Sequence, residues 1–194
     1  MKNHFTSLLT FLLCFSSCMD QDEAIAYQQR YQEFDGKYLI VSAESDLAVD
    51  LNMDSIPSKN LMDELDEFLE SQITISIYED AYFFTEHWPI EYISCYQNQF
   101  DSSRYQSSYS IAYARYALSN EFEFNSDQSA LNLIGAEPVR DPNTGSVDQR
   151  FAIPIIINVE AENMLSVVTD RYLFTMDGYK KVRITAQYER VVSN

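Results

Sequence analysis

Apolar and polar residues alternate with a period of two along most of this chain, as in strands with one buried and one wetted face. The last stretch shows it best. Val182, Ile184, Ala186 and Tyr188 fall on one side of a strand; Lys181, Arg183, Thr185, Gln187 and Glu189 fall on the other. Residues 165–175 and 179–191 flank Asp177-Gly178, a strong hairpin turn signal. Ile73, Ile75 and Ile77 alternate with Thr74, Ser76 and Tyr78, and residues 81–86 return as a partner strand after a turn at Glu79-Asp80. Residues 37–43 and 91–96 read as further strands, the second following Pro89. The tyrosine-rich stretch 107–125 predicts two strands broken near Ser119-Asn120. Phe151, Ile153, Ile155, Ile157 and Val159 share one face of another strand, and Pro154, which has no N–H, places it at an edge or a bulge. Pro138, Asp141-Pro142 and Asn143-Thr144-Gly145 mark residues 137–149 as a loop.

Helical spacing interrupts this pattern in two places. Leu61, Met62, Leu65, Phe68 and Leu69 lie on one face of residues 59–70, with Asp63, Glu64, Asp66, Glu67 and Glu70 opposite. Ser58 or Asn60 can cap that helix. Residues 24–34 predict a shorter helix that uses Ile25, Tyr27, Tyr31 and Phe34. About eight strands with one inserted helix, at 59–70, define an all-β antiparallel barrel or sandwich.

The N-terminus has a different character. Lys2 precedes an apolar run at 8–15, which fits the hydrophobic region of a signal peptide and is too short to span a bilayer. Phe15-Ser16-Ser17-Cys18 resembles a bacterial lipobox, in which the cysteine is acylated and becomes the first mature residue. Cys14 fits less well, because the bulky pair Leu12-Leu13 precedes it. The alternative is an ordinary leader cleaved near Ser17. The expected organisation is a signal peptide at 1–17, a lipidated tether at 18–35 and a single β domain at 36–194. Several acyl chains, each buried methylene adding about 0.8 kcal/mol, would hold Cys18 on a membrane. The acidic cluster Asp20-Gln21-Asp22-Glu23 that follows resembles the surface-export signal of Bacteroidota-type lipoproteins, and equally reads as a solvated tether.

A formal charge of −17 repels phosphate backbones, and no basic stripe offsets it, so nucleic acid is excluded as a partner. Past Cys18 only Cys95 and His87 remain of their kinds, which leaves neither an internal disulfide nor a zinc cluster. Cys95 reads as a small buried hydrophobe.

The densest chemical constellation is 50–58. Asp50, Asn52, Asp54, the Ile56 carbonyl and Ser58 match the oxygen positions of a D-x-N-x-D calcium loop. Ser55 stands where glycine permits the sharp turn and Leu61 where a bidentate carboxylate is expected, so any calcium affinity is weak, in the millimolar range. The competing reading is a polar turn that caps the next helix. His87-Trp88 lacks an oriented acid and a nucleophile turn, and reads as packing. Thirty acidic residues make any chosen carboxylate pair uninformative. Tyr105, Tyr109, Tyr113 and Tyr116 read either as a pocket lining or as half-buried strand residues.

Two segments, residues 48–65 (AVDLNMDSIPSKNLMDEL) and 182–191 (VRITAQYERV), are similar to the lipocalin-like lipoproteins of Bacteroidota. That resemblance implies a small lipocalin-like barrel or half-barrel on a lipid anchor at the outer membrane, facing the periplasm or the outside. The expected function is non-catalytic: a small apolar or amphipathic ligand in the barrel mouth, or a structural or interaction subunit with a filled core. A ligand requires a cavity, and an interaction subunit requires a filled interior and an exposed apolar patch.

Overall fold

The computed structural model describes residues 21–96, 108–140, 142, 145–148, 150–160 and 163–191. Residues 1–17, where a leader is expected, lie outside the described residues with Cys18 and Tyr105, as do the side chains of Cys95 and Tyr109. A helix α1 (Gln21–Phe34) is followed by β1 (Gly36–Val49), the short β2 (Ser58–Asn60) and two 3-10 turns (Leu61–Asp63 and Asp66–Glu70). Seven strands complete the chain: β3 (Gln72–Ile77), β4 (Tyr82–Tyr96), β5 (Ser108–Phe124), β6 (Leu131–Ile134), β7 (Ile156–Glu160), β8 (Met164–Thr175) and β9 (Gly178–Arg190).

The strands lie in the order β6-β5-β4-β3-β1-β9-β8-β7, every pair antiparallel, with β2 added on β1. Apart from β2, neighbours in sequence are neighbours in space, and the first strand pairs with the last. The two ends of the sheet meet at one bridge, Ala130 to Asn158, with the Val159 N–H donating to the Ser129 carbonyl at 2.8 Å. The result is a nearly closed eight-stranded up-and-down barrel, one of the two architectures, barrel or sandwich, that the alternation allows.

Alternation decides which side chains fill it. Ile73, Ile75 and Ile77 are buried, and so are Val182, Ile184, Ala186 and Tyr188, while their neighbours reach outward. The β8–β9 hairpin turns where expected, and Gly178 there has a φ of 96° that favours glycine. A register shift between Ile40 and Ser42 against β9 lets the long β1 bend.

Several expectations are corrected. Residues 59–70 form no continuous helix: Leu65 is extended (φ −146°) and separates the two 3-10 turns. Leu61 and Phe68 reach the core, Leu69 is exposed, and Glu64 is buried, its Oε2 accepting the Leu51 N–H at 2.8 Å. A helix this short has little stability of its own, so these tertiary contacts set its shape.

Where two strands are expected over 107–125, Ser108–Phe124 is one strand, held by unbroken pairing from Tyr82–Phe122 to Tyr96–Ser108; at the expected break Ser119 Oγ meets Thr85 Oγ1 at 2.9 Å. β4 likewise runs straight through Pro89. The Tyr78 N–H donates to Ala81 O, so odd-numbered β4 residues aim their backbone groups toward β3. β3 ends opposite His87, so the N–H that Pro89 lacks costs no ladder bond. The strand expected over 151–159 is confined to Ile156–Glu160, at the end of the sheet as Pro154 implies.

The short helix predicted over 24–34 forms, from Gln21 to Phe34, inside the segment expected as a tether at 18–35, and its far end is docked on the barrel. Phe34 is buried against Phe124 with ring centroids 4.6 Å apart. The last carbonyls of α1 are met by Arg190 of β9: Nη1 donates to Gln32 O (2.9 Å) and Glu33 O (2.8 Å), and Nη2 to Asp35 O. The Tyr38 hydroxyl donates to Phe34 O at 2.9 Å. Helix C-terminal carbonyls have no partners within the helix, and a cation there also complements the helix dipole. Gly36 leaves room for this clamp, since a Cβ would stand 3.2 Å from Arg190 Nε.

Candidate functional site

Inward positions of β4 and β8 bring a charged pair into the barrel. Glu86 Oε2 and Arg171 Nη2 are 2.6 Å apart, each side chain 4% exposed. The guanidinium lies 4.2 Å from the Trp88 ring centroid, and Phe68 packs on the other partner of the stack, its ring 5.0 Å from Trp88. Tyr188 is wholly buried; burial, and then the neighbouring Glu86 carboxylate, push its hydroxyl well above the ordinary 10. These groups come from β4, β8, β9 and the second 3-10 turn, and they fill the interior where they meet. An ion pair removed from water repays its desolvation only with good geometry, so Glu86 and Arg171 depend on each other.

The wall opens at the β6–β7 junction. Asn125 N donates to Ala130 O across the β5–β6 turn, so odd-numbered residues of β6 aim their backbone groups away from β5 and toward β7. Ser129 O uses that direction to reach Val159 N. Continuing the register of the Ala130–Asn158 bridge would set Leu133 opposite Ile155 and Ile134 opposite Pro154. From Leu133 onward, no backbone hydrogen bond joins the two strands among the described residues. Pro154 has no N–H to offer, and the Ile155 N–H turns to Val168 O at 2.8 Å instead. The strands splay, leaving a cleft of about 470 Å³ lined by Leu131, Leu133, Ile153, Pro154, Ile155 and Ile157 among others. Ile134, Ile155 and Ile156 are 46%, 53% and 46% exposed beside it.

The 50–58 loop brings Asp50, Asn52, Asp54, Ile56 and Ser58 into one turn, with most of its side-chain oxygens engaged by its own amides. Asp50 accepts from Asp54 N (3.1 Å) and Ser55 N (3.0 Å), Asn52 Oδ1 from Asp54 N (3.0 Å), and Asp54 Oδ1 from Ile56 N (2.8 Å). Ser58 Oγ accepts from Asn60 N, and Asn60 caps the first 3-10 turn through Met62 N. Met53 (φ 63°) and Ser55 (φ 71°) are both left-handed, so Ser55 adopts the conformation glycine would otherwise supply. No group of three or more His, Cys, Asp or Glu side chains gathers for a metal among the described residues. Buried Glu64, bound to the Leu51 amide at the base of this loop, is a residue that the helical spacing had placed outside.

A third buried carboxylate, Glu91, lies where β4 pairs with β5 alone, opposite Tyr113. The Tyr179 hydroxyl lies against it, and Arg150 reaches over, Nη1 3.5 Å from Glu91 O, while held by Asp148 at 2.5 Å. Arg150 also stands over the Tyr92 and Phe151 rings, and Phe151 meets Tyr116 at 4.3 Å. Burial raises the Tyr113 hydroxyl, and the nearby Glu91 raises it further. His87 is part-buried, and burial followed by Arg115 lowers its imidazole.

Burial also raises the Glu91 carboxyl above its ordinary 4.5, against the pull of its own amide, Tyr179 and Arg150. From 4.5 up to that raised value the folded protein keeps a proton that the unfolded chain has lost. Stability therefore falls as pH rises through this window. Glu91→Gln is expected to remove that slope, with urea midpoints measured from about pH 4 to pH 8. A slope that persists in the variant would contradict the assignment.

No helix among the described residues is long and apolar enough to cross a membrane. Comparison with protein-family models, with curated proteins and with solved structures found no match to this chain.

Proposed function

We propose that this chain is a non-catalytic interaction module of a cell envelope, held on the outer membrane through an acylated Cys18. The observation that carries this reading over a ligand in the barrel mouth is the Glu86–Arg171 pair with Trp88, Phe68 and Tyr188 packed around it. A barrel occupied there by its own side chains presents its chemistry on the outside, and the apolar residues beside the β6–β7 split are the exposed patch such a module needs.

The test is native sizing of the full chain extracted from envelopes in mild detergent. A particle larger than one acylated chain in its micelle is the expected result, and a monomer throughout overturns the reading. In the same cells Cys18→Ser should move the protein out of the membrane fraction; unchanged fractionation would remove the anchor from the proposal.

A small apolar or amphipathic ligand is the second reading, favoured by the cleft of about 470 Å³, an ordinary size for a small-molecule site. A small-molecule adduct that survives native mass spectrometry would carry it.

A further inference from the structure

We propose that the split between β6 and β7 is a strand-acceptor site, which takes an extended segment of a partner polypeptide with apolar residues at alternate positions and basic residues at its ends. This deepens the interaction reading and rests on it.

The first ground is the backbone. Ser129 O spends its outward-facing bond on Val159, but Leu133, on the same side of β6, faces no paired strand. Across the gap β7 is paired to β8 alone, apart from the single bridge. Exposed strand edges of this kind are templates for another strand. A small apolar molecule fills volume but leaves such backbone groups unmet, whereas an added strand meets them with its own N–H and C=O groups.

The second ground is the pattern of side chains. Leu131 and Leu133 from one wall and Ile155 and Ile157 from the other repeat every second residue along the cleft, the spacing at which a strand presents one face. Ile134 and Ile156 stand exposed at its margin.

The third ground is charge. With a net charge of −17, a second copy of this chain is repelled, and a partner segment with basic flanks is drawn in. The split stays open because the Ile155 N–H, which the register of the bridge sets opposite Leu133, is spent on Val168 O.

The probe is a synthetic peptide of alternating valine and threonine with lysines at both ends, added to the full chain in detergent and followed by hydrogen–deuterium exchange. Saturable binding is expected, with exchange slowed roughly tenfold over residues 131–135 and 155–157 and little changed elsewhere. The exposed double variant Ile134→Lys/Ile156→Lys, which places like charge beside the lysine flanks, should weaken binding by about tenfold or more while keeping the melting temperature. Absence of saturable binding, protection at another edge, or an unaffected double variant overturns the proposal. Protection of the same amides by a lipid extract and not by the peptide also overturns it, and transfers the split to the small-ligand reading.

Failure here is separable from failure of the interaction reading. If native sizing shows a large particle whose size the double variant leaves unchanged, the partner docks elsewhere and only the strand-acceptor site is lost.

Discussion

Replacing Arg171 by leucine is expected to lower the unfolding free energy by about 3–5 kcal/mol, because it leaves the Glu86 carboxylate buried without its counter-charge. The two side chains are each 4% exposed and 2.6 Å apart, so water has little access to take the place of the guanidinium. The loss extends beyond one hydrogen bond, since Arg171 also covers the face of Trp88 at 4.2 Å. Arg171 Nε is buried without a partner among the described residues, so the pair already bears an unrecovered desolvation cost. The double variant Glu86→Met/Arg171→Leu should therefore regain most of the stability, because it replaces both charges by apolar groups of similar volume. Urea unfolding of the two variants beside the wild type decides the matter. A single variant that loses less than about 1 kcal/mol, or a double variant no better than the single, would show that the pair is not coupled as its geometry implies.

Phe68→Ala should cost about 3–5 kcal/mol, in the range of buried aromatic truncations. Phe68 is 1% exposed and comes from a 3-10 turn outside the barrel wall, with its ring packed on Trp88. Removing it opens a cavity against the same tryptophan that Arg171 covers, so the surrounding side chains have limited freedom to collapse inward. Leu69→Ala is the control. Its side chain is 59% exposed, and a change within about 0.5 kcal/mol is expected from the same melts. Equal losses at 68 and 69 would mean that this segment packs as the continuous helix its spacing suggests.

The barrel was legible because alternation is a strong signal wherever one face is wet. Val182, Ile184, Ala186 and Tyr188 announced their inward face by the charges between them, and Asp177-Gly178 announced the turn. Residues 59–70 misled because Glu64 carries a charge, and polar spacing alone cannot show that the Leu51 amide waits for it in the interior. The single strand at Ser108–Phe124 was hidden for a related reason: a polar pair such as Thr85 and Ser119 reads as a break until its partner strand is in place. The interior ion pair did leave a trace. Glu86 sits between Phe84 and Trp88 in the inward phase of β4, and Arg171 in the inward phase of β8, so two charges occupied apolar positions. What the sequence could not supply was that they face one another across the barrel, because no local pattern encodes a contact 85 residues apart. The split seam was half legible: Pro154 marked an edge, but the identity of the opposite edge depends on closure of the whole sheet.

The clamp of Arg190 on α1 has a mechanical consequence. A pull on the N-terminus enters the fold through a helix whose far end is gripped by the last strand, so part of the load passes directly into β9. The remainder goes through Gly36 into β1, which is hydrogen-bonded on one side to β3 and on the other to β9. Force along β1 must slide it past both neighbours at once, loading many hydrogen bonds in parallel, where a peeled edge strand would lose them one at a time. The short seam strands β6 and β7, far from this line in the sheet order, stay unloaded. The barrel is thus built to be dragged by its first helix without its split wall being pulled open.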